Sequence, residues 1–350
     1  MPTQDFAARL LAWFDQVQRD LPWRRTQDPW SIWVSEIMLQ QTRVEAVREP
    51  YERFLERFPT PAAFAAATDD EVMVAWRGLG YYRRARLLRD GARRVVEAHG
   101  GVVPETVEAL AELPGVGPYT LGAVASIAFG LCQAAVDGNV ERVVSRHRGW
   151  DEPIGTTRAR KPITAQALAW MDRGRAGDFN QALMELGATV CTPTSPGCEA
   201  CPVSSDCVAR RERRTAELPV KKPPRKATDV TARAVVVTRG GEALGFRVPD
   251  GQANAGQIDL PGPGVLQDCD EHDLASTLQQ RFGAEIRVAE ALASVRHAIT
   301  HHRITLHGHA AQVVAPGRLQ WFSVDAEVPW TTPARKLFAA TFLRTDSPDA

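Results

Sequence analysis

Apolar residues recur at helical spacing through roughly the first two hundred positions. Asp28 is an N-cap candidate and Pro29 fits the first helical position, and the mostly apolar set Trp30, Val34, Ile37, Met38 and Gln41 follows at a 3.6-residue period. Residues 44–57, 70–76, 83–98, 106–112, 118–130 and 162–172 read the same way, with Gly or Pro breaks between them. Strand-like alternation is nearly absent, so residues 1–217 are expected to be all-α. The pattern changes at Leu218-Pro219-Val220-Lys221-Lys222-Pro223-Pro224-Arg225-Lys226, which is Pro-rich and basic and marks a linker over 218–229. β-type runs follow at 230–238 and 243–248 around Gly240-Gly241, and 303–314 alternates apolar with small or polar residues. With one helical stretch at 271–282, residues 230–345 are expected to form an α+β domain.

Composition narrows the class. A chain of 350 residues with 44% hydrophobic and 24% charged residues can bury two cores and is not disordered as a whole. It has no run of about 18 apolar residues, so no membrane span is expected. The N-terminus carries Asp5 and lacks a basic segment ahead of an apolar one, so no signal peptide is expected and the location read is cytoplasmic. Lys+Arg and Asp+Glu are equal at 42 each, split as 31 against 28 before residue 227 and 11 against 14 after it. Charge alone therefore selects no partner, and a nucleic acid would have to be held by local patches. Six of the eight histidines lie after residue 270, but none has an acid or Cys at ligand spacing, so no metal is expected among them.

Two motifs carry chemistry. Cys191, Cys198, Cys201 and Cys207 fall within 17 residues, interleaved with Pro193, Pro196, Gly197 and Pro202. Such spacing suits one inorganic centre, either zinc or an iron–sulfur cluster. Cys132 and Cys269 stand apart and read as ordinary buried or half-buried thiols. Leu113-Pro114-Gly115-Val116-Gly117-Pro118-Tyr119-Thr120 lies between two helical patterns. Its glycines allow a sharp turn and close backbone approach, and free N–H groups at the following helix start suit a phosphate; an ordinary αα-hairpin is the alternative.

Taken in order with Val136-Asp137-Gly138-Asn139-Val140 and the cysteine loop at 191–207, the Leu-Pro-Gly-Val-Gly turn resembles the helix-hairpin-helix DNA glycosylases similar to endonuclease III. Leu21-Pro22-Trp23-Arg24, Ser35-Glu36-Ile37-Met38-Leu39-Gln40-Gln41-Thr42 and Gly78-Leu79-Gly80-Tyr81-Tyr82 resemble the MutY branch, adenine glycosylases acting opposite 8-oxoguanine. The match spans about residues 5–225. It implies an all-α helix-hairpin-helix core, a [4Fe–4S] cluster on the four cysteines, and a monomer that binds double-stranded DNA holding A:8-oxoguanine or A:G mispairs near the nucleoid.

The resemblance also implies roles. Glycosidic cleavage asks for an acid to protonate the base and a carboxylate beside the developing sugar cation. Glu36, among apolar neighbours that raise a carboxyl pKa, becomes the acid, although periodicity alone also allows a solvent-facing Glu. Asp137 becomes the second carboxylate, with Asn139 supporting it; alone, Asp-Gly-Asn is also a turn or N-cap signature. Tyr119 stands where bifunctional relatives carry the Schiff-base Lys, and a phenol forms no imine, so monofunctional chemistry is expected. Arg24, Gln41, Thr42, Leu79, Tyr81, Gly115, Val116 and Gly117 are the expected DNA contacts, with Gln41 and Tyr81 filling the gap left by a flipped base.

The second domain resembles the Nudix-like, lesion-reading domain of that branch. The 271–281 stretch lacks an Arg-Glu-x-x-Glu-Glu pattern, so pyrophosphatase activity is not expected. Ile299, Thr300 and His301 stand where the branch usually has Phe-Ser-His, which keeps a hydroxyl and an imidazole but loses the aromatic ring. A glycosylase with altered opposite-base or damaged-base specificity, a bifunctional pyrimidine glycosylase and a catalytically silent lesion binder remain the other readings.

Overall fold

The computed structural model describes residues 2–221, 223 and 226–342. Its helices are α1 (Pro2–Val17), α2 (Pro29–Leu39), α3 (Val44–Arg57), α4 (Pro61–Ala65), α5 (Asp69–Ala75), α6 (Arg83–His99), α7 (Val107–Ala111), α8 (Pro118–Phe129), α9 (Gly138–Arg148), α10 (Thr157–Trp170), α11 (Ala176–Thr189), α12 (Val208–Arg211), α13 (Leu274–Phe282) and α14 (Thr332–Phe342). The strands are β1 (Thr228–Val236), β2 (Thr238–Arg239), β3 (Glu242–Arg247), β4 (Ile258–Asp259), β5 (Glu285–Ile299), β6 (His302–Ala315) and β7 (Gln320–Ser323). Among the described residues no helix is long and apolar enough to cross a membrane.

The chain divides into two compact units, Met1–Ala66 with Arg83–Pro223, and Ala67–Tyr82 with Pro224–Ala350. This differs from the linear division read in the sequence at two places. Residues 67–82, inside the helical region, fold with the C-terminal part. The start of the expected linker belongs to the first unit: Leu218 is buried, its carbonyl accepts from Arg146 Nε at 2.7 Å, and the Val220 carbonyl accepts from the Ile154 N–H at 3.0 Å.

The first unit is all-α. Asp28 caps α2 by accepting from the Ser31 N–H at 2.8 Å. Helix α10 starts a turn ahead of the expected position, because the Thr156 hydroxyl caps it at the Ala159 N–H (3.0 Å) and the helix then runs through Pro162. One core joins α1, α9, α10 and α11 through Phe6, Leu10, Phe14, Val143, Trp170 and Phe179. His147 belongs to that core, edge-on to Phe6 and Trp170, and burial lowers its imidazole to about 4.

In the second unit β1 pairs parallel with β6, and β6 pairs antiparallel with β5, giving the order β1-β6-β5. Helix α13 covers one face, where Leu274, Leu278 and Phe282 meet Val235 and Ile286. Helix α14 covers the other, where Ala334, Leu337 and Phe338 meet Ala232, Ile304 and Leu306. Strand β3 pairs with β2, β4 and β7 in a second small sheet. Within this unit residues 67–82 are tied to the C-terminal part by a bidentate pair between Arg247 and Asp70 (2.6 and 3.1 Å) and by Arg77 donating to the Ala326 and Val328 carbonyls.

Candidate active site and cysteine centre

Glu36 sits on α2 among Trp33, Val34, Ile37 and Met38 and is 4% exposed. Burial pushes its carboxyl up to about 7; a hydrogen bond from Tyr119 opposes the shift and the Asp137 charge adds to it. Tyr119 lies in the first turn of α8, and its hydroxyl donates to Glu36 Oε2 at 2.5 Å, with Met184 Sδ at 3.4 Å. Burial, together with the Glu36 and Asp137 charges, holds the phenol well above its ordinary range. Tyr119 is therefore a fixed donor, and Glu36 exchanges its proton near neutral pH.

Asp137 is the N-cap of α9. Its Oδ1 accepts from the N–H groups of Asn139 (2.9 Å) and Val140 (2.8 Å), and its Oδ2 accepts from the Asn139 side-chain amide at 2.7 Å. Burial raises this carboxyl above its ordinary value, and those three bonds and Arg142 hold the rise in check. Glu36 accepts from one donor and Asp137 from three, so the effect of burial is opposed more strongly at Asp137. Asn139 is held in turn: its Oδ1 accepts from Arg142 Nη2 at 2.7 Å. The same Nη2 reaches the Gly187 carbonyl at 2.7 Å, and Arg142 Nε reaches the Cys191 carbonyl at 2.7 Å. A Cβ at Gly187 would stand 2.6 Å from Asn139 Cβ, so the glycine lets α11 close on the start of α9.

These groups open on a cleft of about 980 Å³, which Arg24, Gln41, Thr42, Gly115 and Gly117 also line. Arg24 is drawn into its wall, its Nη2 on Glu185 Oε2 at 2.8 Å and its Nη1 on the Arg19 carbonyl at 3.2 Å. Glu185 is 1% exposed and also takes Arg19 in two bonds of 2.7 and 2.8 Å. Its own burial pushes its carboxyl up, but the two arginines win and lower it to about 2. Gly115 adopts φ +81° at the turn between α7 and α8, and Gly117 begins α8 with no capping side chain.

Other expected contacts lie elsewhere. Leu79 is 4% exposed, so it is not a surface contact. Tyr81 is 48% exposed at φ +48°, and Gln41 is exposed at φ +57°. Thr300 and His301 form the turn between β5 and β6, with Thr300 at φ +53°, a conformation β-branched residues rarely adopt. Ile299 ends β5 and packs on the α14-side core.

Cys191, Cys198, Cys201 and Cys207 line one cavity with Val143, Leu186 and Val203. Burial pushes the Cys201 thiol up to about 11, and the other three thiols push it in the same direction. Among the described residues no three of these sulfurs lie within 4.8 Å of one another, whereas Zn–S bonds of ~2.3 Å set a tetrahedral edge of ~3.8 Å. Buried Arg146 donates from Nη1 to Cys191 Sγ at 3.3 Å and to the Thr192 carbonyl at 2.6 Å. The donor set is soft, spread out and beside a cation. Cys132, expected to be at least half-buried, is exposed.

A model of the HhH-GPD superfamily of base excision DNA repair proteins matches residues 34–165. Over 59% of its length the chain is 33% identical to a thermostable thymine-DNA glycosylase of solved structure, covers 95% of that chain and superposes with a TM-score of 0.55. The chain belongs to this superfamily. Its helical fold is also that of an endonuclease III trapped on DNA, at 24% identity, a TM-score of 0.51, and coverage of 59% of this chain and 94% of that one. The adenine DNA glycosylase of Homo sapiens is 49% identical over 59% of this chain and 39% of its own length. That of Mycolicibacterium smegmatis is 46% identical over 56% of this chain and 66% of its own. The chain thus spans about two fifths of the human relative it matches.

Sequence reasoning missed Glu185, Arg142 and Arg146. A signal was present for the first, an acid between Met184 and Leu186 in an apolar helical stretch. The arginines carried none, because a helix rich in Arg reads as a solvated face.

Proposed function

We propose that this chain is a monofunctional adenine DNA glycosylase of the MutY type, removing adenine opposite 8-oxoguanine or guanine in double-stranded DNA. The observation that carries the reading is the pair of acids, Glu36 buried with a raised pKa and Asp137 half-buried with three donors, opening on one cleft. The adenine glycosylase names of the similar proteins support it.

In this mechanism adenine is flipped into the cleft and Glu36 gives its proton to a ring nitrogen of the base. The glycosidic bond breaks, its electron pair leaves with adenine, and the Asp137 carboxylate faces the sugar oxocarbenium ion. Water adds to the anomeric carbon, its second proton returns to a carboxylate, and an abasic site remains. Tyr119 orients Glu36, and Asn139 holds Asp137. Since Tyr119 cannot form an imine, the strand stays intact until alkali is added.

Gly115 and Gly117 would present backbone N–H groups to a phosphate at the start of α8, while the Val116 N–H closes the turn on the Leu113 carbonyl at 3.1 Å. Thr42 flanks the cleft, Arg24 acts from the cleft wall, Gln41 inserts at the base stack, and Tyr81 is a further DNA contact. Cys191, Cys198, Cys201 and Cys207 would hold a [4Fe–4S] cluster, which would tie their loop together and supply one-electron redox chemistry. The C-terminal part, Nudix-like and without the acidic helix of a pyrophosphatase, reads 8-oxoguanine with Ile299, Thr300 and His301. The protein works as a monomer in the cytoplasm, at the nucleoid.

The test is single-turnover base release from duplexes with A opposite 8-oxoguanine, G, C or T, read with and without alkali. Rapid release opposite 8-oxoguanine with alkali-dependent breaks is expected. Release blind to the opposite base removes the lesion-reading role, and no adenine release removes the activity and directs the search to other bases.

A further inference from the structure

Helix α2 ends without the glycine that commonly closes a helix. Gln40 leaves the helical path at φ −59° and ψ 113°, and Gln41 then adopts φ +57°, a left-handed conformation that residues with a side chain rarely take. Gln41 is exposed. The last carbonyls of a helix have no partner within it and must find one outside. Here they find Arg84, in the first turn of α6. Its Nη1 donates to the carbonyls of Ile37 at 2.8 Å, Met38 at 3.1 Å and Gln40, and its Nη2 donates to Thr42 Oγ1 at 3.2 Å. A single guanidinium thus spans the turn from the residue before Gln41 to the residue after it.

Two further bonds close the turn. The Thr42 N–H donates to the Leu39 carbonyl at 3.3 Å, and Gln40 Nε2 donates to Thr120 Oγ1 at 3.2 Å. Thr120 is 1% exposed and follows Tyr119, so the turn is tied to the helix that carries the donor to Glu36. The Arg84 cation also lies where the α2 dipole is negative. A lysine could match that charge, but its point-like ammonium lacks the fork that reaches Gln40 and Thr42 together. Four bonds to the protein distinguish Arg84 from an arginine held out for a phosphate.

We propose that Arg84 is a positioning residue for base extrusion: it holds the 40–42 turn so that Gln41 is already left-handed before DNA arrives. The proposal rests on the reading of Gln41 as the residue that inserts at the base stack. A group that fills the place of a flipped base offsets the cost of unstacking best when it is ordered beforehand. Without a brace, a left-handed Gln is disfavoured by ~5–30-fold against its right-handed conformers, and every binding event would carry that factor. Arg84 removes it in the free protein. It acts through Gln41 and not on the base or the sugar.

The test uses the full chain, iron-loaded, and a duplex with 2′-fluoro-2′-deoxyadenosine opposite 8-oxoguanine, whose fluorine destabilises the sugar cation and blocks excision. Dissociation constants are measured for the wild type, Arg84→Lys, Gln41→Gly and the double variant. Arg84→Lys should weaken binding by about tenfold, and Gln41→Gly, which removes the inserted side chain, should weaken it too. Glycine takes the left-handed conformation freely, so in the Gln41→Gly background Arg84→Lys should cost less than about threefold. An arginine with a merely structural role would cost the same in both backgrounds. Hydrogen exchange gives a second readout without DNA: the Thr42 amide of free Arg84→Lys should exchange about tenfold faster than that of the wild type. Wild-type affinity in Arg84→Lys, equal losses in the two backgrounds, or unchanged exchange at Thr42 overturns the proposal alone. Gln41→Gly binding as tightly as the wild type overturns the reading of Gln41 and the proposal with it. Neither readout needs adenine release, so a failure of the glycosylase reading shows separately, in the base-release assay.

Discussion

Replacing Tyr119 by Phe removes the hydroxyl that donates to Glu36 at 2.5 Å and leaves the ring and its packing in place. In the wild type that bond stabilises the ionised carboxylate and opposes burial, and the balance stands at about 7. A hydrogen bond to a charged group contributes about 1.5–3 kcal/mol, and a tenfold change in a proton-binding constant corresponds to ~1.36 kcal/mol. The Glu36 pKa should therefore rise by about 1–2. If Glu36 is the acid, the rate falls as pH passes its pKa, so the alkaline limb of base release moves up by that amount. The assay is single-turnover adenine release from an A:8-oxoguanine duplex over a pH series from mildly acidic to mildly alkaline, for both proteins. The readout is the position of the limb and not its height, because Tyr119 also orients Glu36. A limb that stays in place or moves down in Tyr119→Phe would refute the assignment of Glu36 as acid, of Tyr119 as its donor, or of both.

Three further outcomes are expected. Glu36→Gln should abolish release while keeping duplex affinity. It should also stabilise the fold at pH 8 by up to about 3 kcal/mol and far less at pH 5: the folded pKa is raised from 4.5 to about 7, so the neutral form is favoured below that range and the penalty grows as pH rises through it, as denaturant melts at the two pH values will report. Asp137→Asn should slow release by about 10²–10³-fold yet melt within a few tenths of a kcal/mol of the wild type, because Asn also caps helices; Asp137→Ala should lose the rate and about 1 kcal/mol more. The Glu185 carboxyl is lowered from 4.5 to about 2, so its contribution is complete above 4.5 and lost as pH falls toward 2. The stability gap between wild type and Glu185→Gln should narrow by about 1 kcal/mol between pH 5 and 3, because that window spans only part of the titration and the partial hydration of Arg19 reduces the rest.

Much of the helical unit was legible because its cues are local. Asp28 ahead of Pro29, the run at 44–57 and the glycines of the 113–117 turn each state their structure within a few residues. Glu36, Tyr119 and Asp137 were legible as motifs, but the 2.5 Å bond joining two of them is a product of packing. What the sequence hides is non-local. The parallel pairing of β1 with β6 joins strands more than seventy residues apart, and β5 mixes apolar and exposed positions without clean alternation. Register shifts between Val288 and Ala293 explain part of that broken pattern. Glu185 stood out only as an acid in an apolar stretch; its role was hidden because its partners, Arg19 and Arg24, come from the opposite end of the helical region.

The membership of residues 67–82 in the second unit bears on how this protein can be dissected. A protease cut or an engineered stop near residue 223 follows the chain's apparent seam but not the seam of its packing. The fragment left behind would carry α5 and the Tyr81 loop without the groups that hold them: Asp70 would lose Arg247, and Arg77 would lose the carbonyls of Ala326 and Val328. Loss of activity on truncation therefore mixes two causes, a missing C-terminal part and a loop that has lost these contacts. Point substitutions in the intact chain separate them, and a fragment intended to stand alone needs that loop redesigned.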